Sequence, residues 1–163
     1  MPTIVIDAAK GLHQKAATTA LPAGTLSGQR SAVITTTAQA TTTLTAADSG
    51  KLVILTPNAS VVVLPTPVAG LHFDFIQNAA YSTAINQIKT ATTDGSVFFI
   101  GGIIAGDNSS AYIASDNNSN DIIKFGSATV AGDRISLNCD GSNWLVTGGL
   151  SKVVSNGISF ADS

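Results

Sequence analysis

The sequence predicts an all-β protein: an antiparallel β-sandwich, jelly-roll-like, of about eight strands, preceded by an extended N-terminal arm. Three observations predict it. Short apolar or β-branched runs recur at spacings of about 8–12 residues, with turn residues between them. No apolar repeat at i, i+3, i+4, i+7 is sustained, so amphipathic helices are missing. Without crossover helices, a parallel α/β sheet is excluded. A chain of 163 residues fits one domain with an arm, here an arm over 1–31 and a sandwich over 32–163 with a C-terminal segment 148–163.

The arm is read from what it lacks. Ala8 to Ala20 is Ala-rich, but Gly11 interrupts it and its apolar face is thin, leaving room for one helical turn at most. Leu21-Pro22-Ala23-Gly24 and Ser27-Gly28 are loop signals. A segment this long without a core of its own is unusual inside a compact domain and suits ordering on a neighbouring subunit.

From Ala32 the pattern is β. Ala32-Val33-Ile34 and Thr41-Thr42-Thr43-Leu44 are β-branched runs. Ala46 to Gly50 is a turn. Lys51 to Leu55 is a strand stopped by Pro57-Asn58, and Ser60 to Leu64 is one stopped by Pro65 and Pro67. Leu71, Phe73 and Phe75 alternate with His72, Asp74 and Ile76, the period of a half-buried strand. Ile85 to Ile88 follows. Asp94-Gly95 signals a hairpin leading to Val97-Phe98-Phe99-Ile100, with Gly101-Gly102 as a break or bulge before Ile103-Ile104. Tyr112-Ile113, Ile122 to Phe125, and Ile135 to Cys139 are further strands. Asp140 to Asn143 is a tight turn into Trp144-Leu145-Val146. Gly148-Gly149 reads as a hinge-like break, after which Val153-Val154 and Ile158 to Phe160 supply a last strand or reach a neighbour. The expected core is Leu52, Ile54, Val62, Leu64, Leu71, Phe73, Phe75, Phe98, Ile100, Ile123, Phe125, Ile135, Leu137 and Trp144.

Composition narrows function. Only 11% of residues are charged while 44% are apolar, against ~25% charged in an average soluble domain. Such a chain buries surface against partners or stays soluble on hydroxyls and amides. The net charge of −2 and the absence of a Lys/Arg cluster argue against nucleic acid. No apolar run reaches the ~20 residues of a membrane helix, and the first residues carry no secretory signal pattern. The single cysteine, Cys139, reads as a small buried hydrophobe.

Reactive constellations are weak. The two histidines are His13, in the arm, and His72. His72 and Asp74 share a strand face, but no Gly-x-Ser-x-Gly elbow accompanies them, so both read as surface or interface residues. The acidic residues are scattered. Asp116-Asn117-Asn118-Ser119-Asn120-Asp121 imitates the start of a Ca²⁺ loop but has Asp121 at the sixth position and Ser127 at the twelfth, where such loops carry Gly and Glu. It reads as a solvated loop. Gly101-Gly102 with Gly106 precedes no helix and is no phosphate loop. Trp144 reads as a core cap rather than a sugar platform. The expectation is no catalysis, no cofactor and no metal.

Two segments carry a resemblance. Thr43 to Lys51 leads through Val61 to Pro67 and on to Ala69 to Ile76; Gly132 to Val146 follows later. The pair resembles small β-rich virion proteins of tailed bacteriophages, which include capsid decoration (cement) proteins and tail-fibre modules. The resemblance implies a β-sandwich, often jelly-roll-like and trimeric, without cofactor or catalysis. Low charge and positive mean hydropathy independently predict a homo-oligomer. The absence of fibre-type repeats favours head over tail. The expected function is capsid decoration by bridging major capsid subunits on the virion surface after synthesis in the host cytoplasm. The alternative is a receptor- or carbohydrate-binding tail module. In the arm, Ile4, Val5, Ile6, Leu12, Leu21 and Leu26 are expected to anchor apolarly, and Lys10, His13, Lys15 and Arg30 to meet acidic capsid groups. Neither nucleic acid nor membrane is an expected partner.

Overall fold

The computed structural model describes residues 3–7, 11–15, 33–92, 96–106 and 111–162. The chain divides into two compact units, 1–31 and 32–163. In the first, β1 (Thr3–Asp7) and β2 (Gly11–Lys15) pair antiparallel. Residues 11–15 are therefore strand, where the sequence left room for a helical turn. Lys10, Leu21, Leu26 and Arg30 lie outside the described residues.

The second unit is all β, with two sheets arranged as a sandwich. Its strands are β3 (Val33–Thr35), β4 (Thr41–Thr43), β5 (Leu52–Leu55), β6 (Val61–Val63), β7 (His72–Gln77), β8 (Asn86–Lys89), β9 (Phe99–Ala105), β10 (Ala111–Ala114), β11 (Ile122–Phe125), β12 (Arg134–Cys139), β13 (Trp144–Ser151) and β14 (Ile158–Ala161). One sheet has the order β10-β9-β13-β12-β7-β5-β3 and the other β14-β11-β8-β6-β4.

The sheets are mixed, which corrects the antiparallel expectation. β3, β5 and β7 are parallel to one another, as are β4, β6 and β8, and β9 runs parallel to β13. The chain alternates between sheets from β3 to β8. Each return to a sheet passes through a strand of the opposite one. A crossover helix is therefore unnecessary: the fold has no α/β layer, as expected, but the lack of helices does not prevent parallel pairing between strands. The remaining pairs in this unit, β7–β12, β8–β11, β9–β10, β11–β14 and β12–β13, are antiparallel.

Inward-facing side chains line up in cross-strand rows. One runs from Ile34 through Val53, Phe75 and Ile135 to Gly149. A second joins Cys139, Trp144 and Phe99. Val62, Ile88 and Ile123 form the facing row of the five-stranded sheet. These residues build one buried cluster with Phe73, Leu137, Phe125, Ile158 and their neighbours. Ten of the expected core residues are buried, but the register slips by one in two strands. Val53, Leu55 and Phe99 are buried, whereas Leu52, Ile54, Phe98 and Ile100 are only half-buried. In a continuous apolar run the sequence does not say which parity faces in. Pairing with Phe75 turns Val53 inward, and pairing with Trp144 does the same for Phe99.

Gly101-Gly102, expected as a break or bulge, and Gly148-Gly149, expected as a hinge-like break, lie inside β9 and β13. Gly101 has φ +106°, and the β9–β13 register shifts between Val146 and Leu150, so the glycines form a bulge within continuous strands. Asp94-Gly95 lies outside the described residues.

Candidate functional site: an apolar row on the outer sheet face

The outward face of the seven-stranded sheet carries the most unusual surface among the described residues. Parity decides which residues reach it. Phe73, Phe75 and Ile135 point in, so Asp74, Ile76 and Arg134 point out. Across the sheet, Ile54 pairs with Ile76, Ile76 with Arg134, Arg134 with Leu150, Leu150 with Ile104, and Ile104 with Tyr112. These are one cross-strand row. Ile104 is 57% exposed, Tyr112 65% and Leu150 42%. Three consecutive positions thus hold large apolar side chains in solvent. Isolated exposed hydrophobes need no explanation, whereas contiguous ones mark contact surfaces.

The row is flat. A Cβ on Gly102 would lie 2.7 Å from Tyr112 Cζ, so the tyrosine ring occupies the space that glycine leaves. Gly148 has open space above it. The strands β12, β13, β9 and β10 read RISLNC, WLVTGGLS, FIGGIIA and AYIA, and Arg134 is their one charged residue.

On the same face, Ser136 Oγ donates to Asp74 Oδ1 at 2.6 Å. The His72 ring instead packs at Gly50, with Nε2 3.4 Å from where a glycine Cβ would sit. The hydroxyl that reaches the carboxylate is thus engaged there, and its proton is not directed to the imidazole. A Ser–His–Asp relay needs the hydroxyl on the imidazole and the imidazole on the carboxylate, and this arrangement supplies neither link.

The Asp116 loop is closed on itself. Asp116 Oδ1 accepts the N–H groups of Asn118, Ser119 and Asn120, each at 3.0 Å, and Oδ2 accepts the Ser119 hydroxyl at 2.6 Å. The Ser119 hydroxyl bond and these N–H groups hold the Asp116 carboxyl well below the usual carboxylate range. Asp162 Oδ1 accepts from Asn120 Nδ2 at 2.7 Å. The oxygens that a cation would need already serve the loop, and no cluster of three metal-ligating side chains occurs among the described residues. Among the described residues two buried side-chain polar atoms lack a hydrogen-bond partner, Asp121 Oδ1 beside this loop and Trp144 Nε1 in the core. Trp144 itself is fully buried against Phe73, with ring centroids 5.8 Å apart.

Comparison with protein-family models, with curated proteins and with solved structures gave no match.

The expected anchors fall in two groups. β1 and β2 set Val5 opposite His13, Ile6 opposite Leu12, Ile4 opposite Gln14 and Thr3 opposite Lys15. The others lie outside the described residues, as stated above. Sequence reasoning missed Ile104, Tyr112 and Leu150 as surface residues. The available signal was parity: once Phe99 and Ile103 point in, Ile104 points out. Reading Gly148-Gly149 as a hinge-like break, and leaving Gly101-Gly102 as either a break or a bulge, removed the strand continuity needed to see it.

Proposed function

We propose that this chain is a non-enzymatic structural protein that decorates and stabilises a phage capsid, bridging major capsid subunits. One observation carries the reading: an apolar row, Leu150, Ile104 and Tyr112, exposed on one sheet face of a chain poor in charge throughout. Such a surface suits protein contact. The resemblance of 43–76 and 132–146 to phage virion proteins supplies the setting. The residues of 1–31 act as the capsid anchor, and copies of the chain associate, three-fold as the resemblance implies. Many weak contacts repeated around a closed shell add through multivalency.

The test is the number of copies per particle, measured by quantitative mass spectrometry of purified virions. A stoichiometry comparable to the major capsid protein supports decoration. A handful of copies, together with binding to a host surface glycan or protein, replaces it by the tail-module reading.

A further inference from the structure

We propose that the outer face of the seven-stranded sheet is a two-fold contact with a second copy of the chain, in which Leu150 of one copy meets Ile104 of the other and Arg134 stacks on Tyr112. The inference rests on the reading of this protein as a self-associating structural unit, and it replaces the three-fold association that the resemblance implies by a two-fold one.

The order along the row is Arg134, Leu150, Ile104, Tyr112. Neighbouring strands lie about 4.8 Å apart, so Arg134 and Tyr112 are separated by about 14 Å and sit equally far from the line between β13 and β9. A two-fold axis in the interface along that line turns the row end for end. Leu150 then faces the second copy's Ile104, and Ile104 its Leu150. The one cation of these four strands faces an aromatic ring, twice. The Tyr112 ring lies against Gly102 on one side and is 65% exposed, so its free face is presented to a guanidinium. Cation–π pairs in proteins use Arg more often than Lys, and Tyr is among the rings that accept it. The row is therefore complementary to itself in reverse. In any foreign docking Arg134 would need a separate partner.

Area sets the strength. Four strands span roughly 19 Å, and with strands about 20 Å long each copy covers about 400 Å². The total of about 800 Å² falls below the ~1,200 Å² of a standard stable interface. The contact is thus weak and reversible in solution and gains from repetition on an assembled shell.

The experiment is sedimentation equilibrium of the full-length chain over a wide micromolar range. The wild type is expected to follow a monomer–dimer equilibrium. Tyr112→Arg sets Arg against Arg and is expected to raise the dissociation constant at least tenfold. The double variant Tyr112→Arg with Arg134→Tyr exchanges ring and cation, and is expected to recover dimerisation. The two positions are too far apart within one chain to rescue each other. Should Tyr112→Arg fail to fold because Gly102 is uncovered, Leu150→Asp and Arg134→Glu, both at exposed sites, decide: each is expected to give a folded monomer. A wild type that stays monomeric, with its row covered by its own residues 1–31 or left to a foreign protein, overturns the proposal. So does a dimer indifferent to Leu150→Asp, a double variant that does not recover, or a soluble trimer. A soluble trimer leaves capsid decoration standing, whereas a low copy number on virions removes decoration without touching the two-fold contact.

Discussion

The side-chain amide of Asn86 donates to Gln77 Oε1 at 2.9 Å, and both residues are buried. The bond ties β8 in one sheet to β7 in the other. Asn86 Oδ1 in turn accepts the Ser60 N–H at 2.9 Å, just before β6. Ser60 is fully buried, with its hydroxyl within reach of the Thr37 and Thr56 carbonyls. One asparagine therefore stitches the crossing where the chain passes between sheets. Asn86→Leu is expected to destabilise by about 2–6 kcal/mol, because it strands two buried groups at about 1–3 kcal/mol each. Urea unfolding measures it, and a loss below about half a kcal/mol would show that the bridge is dispensable.

Gly149 completes the inner row of the seven-stranded sheet without a side chain. A Cβ there would lie 2.2 Å from Ile103 Cγ2 and 3.2 Å from the Arg134 carbonyl. The Cγ2 is carried on the β carbon of a buried residue and has little room to yield. Gly149→Ala is expected to cost about 1–3 kcal/mol through overpacking. Ile103→Ala removes the clashing methyl at its own cavity cost. The double variant is expected to be more stable than the two single losses added together. Strict additivity would mean that the two positions do not compete for the same space.

Strand β5 tests the parity of an apolar run. Leu55 is fully buried and Leu52 only half-buried. Leu55→Ala is expected to cost about 2–5 kcal/mol and Leu52→Ala distinctly less. Phe73→Ala, which empties the space beside Trp144 and Phe75, is expected to cost about 3–5 kcal/mol. Equal losses at Leu52 and Leu55 would contradict the register.

The same strand shows what the sequence can and cannot reveal. Strand positions were legible because Pro65, Pro67, Gly50 and Asp140 punctuate apolar runs by local chemistry. In β7 even the facing was legible, because His72 and Asp74 break the run into alternation. In β5 and β9 no polar residue breaks it, and facing is set by partners distant in sequence: Phe75 for Val53, Trp144 for Phe99. Parallel pairing was illegible for a related reason. A local pattern says that a strand exists, not which sheet it joins. The apolar outer row inherits both limits, since it appears only when parity and strand order are known together.

The last prediction concerns acid. Asp48 accepts from Lys51 Nζ at 2.5 Å and from the Thr45 hydroxyl and N–H at 2.7 and 2.8 Å. The Lys51 bond first, and the Thr45 bonds after it, lower its pKa to about 2. The Asp116 carboxyl is depressed as well, by the Ser119 hydroxyl and then by backbone N–H groups. Asp140 is lowered by the N–H groups of Asn143 and Ser142. In each case the folded pKa lies below the unfolded one, so the unfolded chain binds the proton first as pH falls. The stability these carboxylates contribute is complete above about pH 4 and is lost as pH falls through the folded values. All three are at or near the surface, so each contributes modestly. The expected profile is flat from neutrality to about pH 5 and declines below about pH 4. Asp116→Asn keeps a side-chain acceptor for the loop but cannot titrate. Its stability is expected to fall less steeply over the acid range than that of the wild type, by denaturant unfolding at matched ionic strength. Parallel acid slopes for the two proteins would show that the Asp116 turn is not linked to folding.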